Sequence, residues 1–356
     1  MNSKEPQTIF TEQSEVSSRT LLVQNPLVSV LMITYNHADY LAQAIEGVVS
    51  QQCDFPYELI IGEDASTDDT RKIALQYQRR YPEIIRVIYS AENVGAKANS
   101  NRILARAGGE YIAYCEGDDY WCSKHKLARQ VALIQHDMQI AVVHTDWVRS
   151  RNGSGGWKVA WQKSVHRRVP RRLLEGNIFH TFHYPKILRT CTVLYRRNVV
   201  QECMASRLAS KTYLFGDTVN AAYVTSKWRV AYLPEITAVY RLSPRSVLRS
   251  GIQARLAFLK SGLEFDTEAR DFFSARSDYP RTYRWELSVG LFLWAIKARD
   301  VAAARFALTD ICAHFGVFDF IKAGTQTLIM RWPSLRRQYR STPSANNTGF
   351  IDGSSA

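Results

Sequence analysis

The chain has 356 residues, is 46% hydrophobic and carries a formal charge of +13. That length and apolar fraction support one large core with an appendage and exclude wholesale disorder. The basic balance draws anions (nucleotides, phosphorylated lipids, anionic membrane, nucleic acid) without choosing among them.

Residues 1–24 are rich in Ser, Thr, Gln and Glu and are expected to form a disordered tail. Residues 27–34 make a continuous apolar run, as in a strand buried on both faces, and the run breaks at Tyr35-Asn36-His37. Leu41, Ala44, Ile45, Val48 and Val49 then recur at helical spacing. A second buried strand over 57–62 ends in Glu63-Asp64-Ala65-Ser66-Thr67-Asp68, where Ser66 or Thr67 can cap a helix over 69–81 that stops at Pro82. A strand over 84–89 and a helix over 95–107 follow, ended by Gly108-Gly109. A fourth strand, 110–115, runs into Glu116-Gly117-Asp118-Asp119. This alternation predicts an α/β fold with a doubly wound, mostly parallel sheet. Ligands bind such sheets at the carboxyl ends of strands. Tyr35, Asp64 and Asp118 lie at those ends and should converge on one crevice.

Further along, a helix is expected over 124–135 and a strand over 140–147. Residues 149–189 read as a variable, basic loop region over the site mouth. A strand over 190–195, a helix over 198–207 and a helix opened by Phe215-Gly216-Asp217 follow, then strands near 229–233 and 238–241. From residue 252 to about 330 the pattern is helical. The expected division is a tail at 1–24, a catalytic domain at 25–250, a C-terminal helical subdomain at 251–340 and a disordered tail at 341–356. No stretch reaches the ~18 apolar residues of a membrane span, and the polar start does not read as a signal peptide. The six cysteines form no Cys-x-x-Cys pair and read as reduced thiols in a cytosolic setting.

Three carboxylates within Glu116-Gly117-Asp118-Asp119 repel one another unless a cation offsets them. A divalent metal with a nucleotide diphosphate is one natural answer, and hard oxygen ligands favour Mg²⁺ or Mn²⁺; a solvated acidic turn is the other. Asp64 can accept a hydrogen bond from a base or ribose, and Tyr35 can stack on a base. Arg241 can grip phosphate bidentately or sit in a basic surface turn. Thr190-Cys191-Thr192 is a candidate lining for an acceptor pocket. His144 and His180 lack metal spacing and read as structural or acceptor-side residues.

In combination, Ser29 to Asn36, Glu63 to Asp68, Asn93-Val94-Gly95 with Ala98-Asn99, Gly109 to Ile112, Glu116 to Trp121, and Lys126-Leu127 with Gln130 resemble family 2 glycosyltransferases across roughly residues 27–245. The resemblance implies the nucleotide-binding GT-A fold and inverting transfer from a nucleotide-sugar, usually a UDP-sugar. It places Thr34, Tyr35, Asn36, Glu63, Asp64, Asn93, Asn99, Glu116 and Asp118 at the donor nucleotide, with Asp118 on a divalent metal, Mn²⁺ or Mg²⁺. It implies a general base about a hundred residues further on, where Asp217 opens a helix. It also implies that the segment from Tyr240 to Ser246 closes over the diphosphate through Arg241. The family usually has Asp where this chain has Glu63 and Glu116, which makes Asp118 the stronger metal ligand.

The implied partners are the donor and a glycan or lipid-linked acceptor, as in bacterial surface polysaccharide or lipopolysaccharide assembly. An anionic membrane surface is a further candidate partner. It would be met by the basic stretch 149–207 or by an amphipathic segment at 315–339 with Arg331, Arg336, Arg337 and Arg340. That would make the protein cytoplasmic and peripheral on the inner face of the membrane. A nucleotidyltransferase would carry a Gly-rich phosphate loop after the first strand, and Tyr35-Asn36-His37-Ala38 stands there instead. A nucleic-acid-binding protein lacks its signature here. A donor-binding pseudo-transferase stays open, because Gly117 and Gly216 stand beside the retained acids.

Overall fold

A computed structural model describes residues 13–18, 20–154, 156–184, 187–243 and 251–316. The expectations for 317–356, for Pro244, Arg245 and Ser246, and for 1–12 fall outside the described residues. Contacts divide the chain into two units, Met1–Pro280 and Arg281–Ala356.

The first unit is organised by a ten-stranded sheet. Its strands are β1 (Gln13–Val16), β2 (Val28–Thr34), β3 (Tyr57–Glu63), β4 (Ile85–Ser90), β5 (Tyr111–Tyr114), β6 (Tyr120–Trp121), β7 (Ile140–Gly153), β8 (Gly156–Val159), β9 (Leu194–Arg196) and β10 (Arg229–Arg241). The order is β1-β4-β3-β2-β5-β9-β7-β10-β6, with β8 pairing β7. Strands β4, β3, β2 and β5 are mutually parallel, and β7 is parallel to β10. Because β9 runs antiparallel to both β5 and β7, these two groups share one direction and one carboxyl edge.

Helices α1 (Ala38–Val49), α2 (Thr70–Arg80), α3 (Ala96–Leu104) and α4 (Lys126–His136) cover both faces. The side-chain alternation of β2 shows why its apolar run is unbroken. Val28, Val30 and Met32 enter one cluster with Leu41 and Ile45 of α1 and Val131 of α4. Leu31 points the other way, into a cluster with Ile60, Ile112 and Ile103 of α3. A strand with two apolar faces needs apolar side chains at every position.

Four features differ from the sequence expectation. Residues 13–16, expected within the disordered tail, form an edge strand on β4. Glu15 ties it there through Arg86 Nε at 3.0 Å and Arg106 Nη1 at 3.1 Å. The two strands expected at 229–233 and 238–241 are one strand, β10, with register shifts around Pro234, which has no N–H for the ladder. The strand expected from 190 begins only at Leu194, after a single 3-10 turn, Thr190–Thr192. Part of the region 149–189 is a hairpin, in which β7 turns back through Gly153 and Gly156 into β8.

After β9 come α5 (Arg197–Ala205), α6 (Arg207–Ser210), α7 (Asp217–Lys227) and, beyond β10, α8 (Ile252–Phe272), which belongs to this first unit. The second unit contains α9 (Arg281–Ala298) and α10 (Val301–His314). They pack through Trp285, Ile311 and Phe315, and the Arg284 and Ser288 side chains both donate to Asp310. No helix among the described residues is long and apolar enough to cross a membrane.

Candidate functional site

The carboxyl ends of β2 and β3 are laced together. Asn36 turns the chain with a positive φ of 54°. Its backbone N–H donates to Ser66 Oγ at 3.0 Å, and its Oδ1 accepts from the Thr67 N–H at 2.8 Å. The His37 N–H donates to Thr70 Oγ1 at 2.8 Å and the Ala38 N–H to Asp68 Oδ2 at 3.1 Å. Ser66 and Thr67 therefore brace the neighbouring loop, while Asp68 accepts from the Thr70 N–H at the start of α2 at 3.0 Å.

Several residues that the sequence places at the nucleotide spend their polar atoms inside the protein. Glu63 is fully buried; it accepts from the Ser66 N–H at 2.6 Å and from Arg71 Nε at 2.5 Å. The two oxygens of Asp64 accept from the Val94 N–H at 2.9 Å and the Gly95 N–H at 3.0 Å. Asn93 Nδ2 closes the same loop on the Asp64 carbonyl at 3.0 Å. Asn99 donates to the Gly62 carbonyl at 2.8 Å and accepts from Arg102 Nε at 2.9 Å. These groups fix the loop after β4 against the end of β3. Tyr35 is different: at the end of β2 it is 44% exposed, with its ring free to meet a flat ligand.

The acidic turn follows β5. The Gly117 N–H donates to the Ile33 carbonyl at 3.0 Å, drawing the turn onto the end of β2. A Cβ at residue 117 would stand 2.7 Å from Thr34 Oγ1, 2.9 Å from Thr34 Cβ and 3.0 Å from His37 Nδ1. Glycine at 117 is thus a packing requirement and needs no loss of function to explain it. No such crowding surrounds Gly216, which has open space about it. Thr34 Oγ1 is buried beside the turn with no hydrogen-bond partner among the described residues.

Arg241 holds the turn from the other side. Its backbone N–H donates to Asp119 Oδ1 at 2.9 Å, its Nη1 donates to the Asp118 carbonyl at 2.8 Å, and its Nη2 donates to Gln43. The guanidinium lies over the rings of Tyr120 at 4.6 Å, Tyr40 at 5.3 Å and Trp157 at 5.8 Å. The sequence assigned this arginine to a diphosphate; the structure buries it as the brace of the acidic backbone.

The carboxyl groups of the turn remain crowded. Burial, together with the negative charges of Asp118 and Asp217, pushes the Glu116 carboxyl up to about 8, opposed by Arg189. Burial and the charges of Asp118 and Glu116 hold Asp119 well above the usual carboxylate range. The turn after β5 and the start of α7, distant in sequence, thus lie near enough for their charges to interact. Asp217 sits in the first turn of α7, where an acid suits the helix dipole, and accepts from the Thr218 N–H at 2.8 Å.

The donor set fits a hard divalent cation. The Asp118 carboxylate makes no hydrogen bond among the described residues, and its crowded neighbours Glu116 and Asp119 are held toward their protonated forms, whose protons a divalent ion could displace. No three metal-ligating side chains are already gathered among the described residues, so an ion here would complete its shell with ligand oxygens or water.

Arg189 is the residue that sequence reasoning missed. It sits just before the Thr190–Thr192 turn, with its guanidinium over the rings of Tyr240 at 4.5 Å and Trp147 at 5.0 Å. The sequence signal was its place next to Thr190-Cys191-Thr192, hidden within a long basic stretch. Of that triplet, Cys191 and Thr192 are buried, and their carbonyls accept from Trp121 Nε1 at 2.9 Å and Gln130 Nε2 at 2.8 Å. His144 is a buried structural histidine bonded to the Leu174 carbonyl at 2.6 Å, and His180 is exposed.

The family described as Glycosyl transferase family 2 matches residues 29–203. An uncharacterized protein of Mycobacterium tuberculosis (strain ATCC 25618 / H37Rv) is 31% identical over 238 residues, which is 65% of this chain and 63% of its own. The match thus spans less than two thirds of that relative. TuaG of Bacillus subtilis (strain 168), named as a teichuronic acid biosynthesis glycosyltransferase, is 42% identical over 106 residues, 30% of this chain and 41% of its own. Among solved structures, the mannosyltransferase PcManGT from Pyrobaculum calidifontis, in complex with GDP-Man and Mn²⁺, aligns with a TM-score of 0.50 at 16% identity. That alignment covers 89% of this chain and 83% of that one. At that identity the likeness is one of fold, and the expected GT-A-type α/β architecture is borne out.

Proposed function

We propose, from the match of residues 29–203 to glycosyl transferase family 2, that this chain is a metal-dependent, inverting glycosyltransferase. Its donor would be a nucleotide-sugar, a UDP-sugar first among them, and its acceptor a glycan or lipid-linked glycan in cell-surface polysaccharide assembly. The transferase module would run over residues 25–250, with the helices beyond it as an appendage. The surface-polysaccharide context is supported by the name that TuaG carries.

The observation that carries the reading is the electrostatic meeting of Glu116 and Asp118 with Asp217 at one sheet edge. Tyr35 would stack on the base. Asp64 would act by fixing the loop from Asn93 to Gly95 as one wall of the nucleotide site. Asp118, with Glu116 beside it, would hold Mg²⁺ or Mn²⁺, whose bound charge offsets that of the diphosphate. Asp217 would take the proton of the acceptor hydroxyl as its oxygen attacks the anomeric carbon. Gly117 packs closely on Thr34 beneath the acidic turn. The exposed cations Lys163, Arg167, Arg168 and Arg172 lie in a stretch without acids, which suits an anionic acceptor or an anionic membrane surface on the cytoplasmic side.

A donor screen tests the reading. UDP-, GDP- and dTDP-sugars are offered with and without Mn²⁺, and hydrolysis and calorimetric binding are measured. Metal-dependent turnover of one donor class is expected; no uptake of any of them would overturn the proposal.

A further inference from the structure

Arg189 presents an unusual combination. Its Nε is buried with no hydrogen-bond partner among the described residues. No described carboxylate lies within ion-pair distance of it, although Glu116 and Asp119 are close enough to feel its charge. The guanidinium lies over the rings of Trp147, midway along β7, at 5.0 Å and Tyr240, near the end of β10, at 4.5 Å. A guanidinium held over two rings, with no acceptor for its Nε–H among the described residues, can offer its N–H fork to a ligand. Buried donors in folded proteins are paired as a rule, so an unpaired one beside a binding edge points to a partner that arrives with the ligand. Arg241 cannot serve in that place, because Asp118, Gln43 and three aromatic rings occupy it.

We infer that Arg189, rather than Arg241, pairs with the diphosphate of the nucleotide-sugar donor from the acceptor side of the acidic turn. The inference rests on the donor reading above. As the bond from the anomeric carbon to the diphosphate oxygen breaks, its electron pair stays on that oxygen, where the guanidinium bonds to it. The acceptor oxygen makes the new bond to the anomeric carbon, and its proton passes to Asp217. A bidentate arginine suits this because the charge it meets grows along the reaction.

The test is calorimetry on the full chain with Mg²⁺, using UDP and GDP, each against its nucleoside. Arg189→Gln should weaken binding of the nucleoside diphosphate by about tenfold or more, one good charged pairing. It should leave the nucleoside within about twofold. Arg189→Lys keeps the charge but loses the fork and should fall between; it also serves if the glutamine variant folds poorly. A purely structural role would move both ligands together. Unchanged discrimination between diphosphate and nucleoside in either folded variant overturns the inference while leaving the donor reading intact. If the unaltered chain binds neither UDP nor GDP, the donor reading itself falls, and the inference with it.

Discussion

Gly117→Ala is the sharpest probe of the acidic turn. The added Cβ would stand 2.7 Å from Thr34 Oγ1, 2.9 Å from Thr34 Cβ and 3.0 Å from His37 Nδ1. Carbon contacts relax at about 3.5–4 Å, so the turn and the end of β2 must separate by roughly half an ångström or more. Thr34 is β-branched and set in a buried strand, so its side chain has little room to yield. Overpacking of this kind costs about 1–3 kcal/mol. For a unit of this size that lowers Tm by roughly 2–10 °C. The functional loss should be larger, because a metal site tolerates only about 0.5 Å of displacement. Metal-dependent binding of UDP should therefore fall further than the folded fraction does. Thr34→Ala in the same chain removes Oγ1 but not Cβ, and should return roughly 1 kcal/mol of the loss as a coupling energy. The assays are thermal denaturation and calorimetry on the four members of the cycle. A Gly117→Ala protein that melts with the parent and binds nucleotide equally would refute the argument that the turn needs a glycine.

Four further outcomes follow from the same geometry. Asp217→Asn should keep nucleotide-sugar affinity within about twofold while transfer to acceptor drops by about a hundredfold or more; normal transfer would remove Asp217 as the base. Asp118→Asn relieves like-charge repulsion and should stabilise the ligand-free protein by up to about 1 kcal/mol, yet abolish metal-dependent nucleotide binding in a titration with Mn²⁺. Arg241→Met keeps an apolar stem among Tyr40, Tyr120 and Trp157 but strands the Asp118 carbonyl and Gln43. Urea unfolding without ligand should show a loss of about 2–3 kcal/mol. Burial, with the His166 imidazole adding, pulls His144 down to about 3 from an ordinary 6.5. The unfolded chain then binds a proton that the folded one refuses, so stability is lost as pH falls below 6.5 and on toward 3. At about 1.4 kcal/mol per pH unit, the parent should lose roughly 2 kcal/mol more than His144→Gln between pH 6.5 and 5, and parallel unfolding curves would refute this.

Much of the sheet was legible because its strands are buried on both faces and its helices repeat apolar residues at a fixed spacing. What escaped depends on partners far along the chain. Strand β1 has a polar sequence and exists because Glu15 meets Arg86 and Arg106. Strand β10 reads as two pieces because Pro234 interrupts the ladder without ending the strand. In the site, the clustered acids and Asp217 were visible as chemistry. The direction of a side chain was not. Glu63, Asp64 and Asn99 look like ligand contacts in sequence, yet each satisfies the protein's own backbone or an arginine. Arg189 was invisible for the converse reason, since its meaning comes from rings on β7 and β10 that no local pattern connects to it.

The treatment of charge at this edge is selective. The chain has 46 Lys and Arg residues against 33 Asp and Glu, so cations to neutralise an acidic turn are plentiful. Glu63 and Asp64, at the end of strand β3 and just beyond it, each have an arginine within ion-pair distance. Glu116, Asp118, Asp119 and Asp217 have none among the described residues. Arg241, the nearest at hand, addresses the turn through its backbone N–H and the Asp118 carbonyl, and so fixes the main chain without quenching the Asp118 carboxylate. The acids of the turn are thereby kept crowded in the folded state, with the turn held by Gly117 on one side and Arg241 on the other. A divalent ion entering there would find oxygen donors already gathered, and the anionic ester it carries would meet Arg189, whose Nε has no hydrogen-bond partner among the described residues.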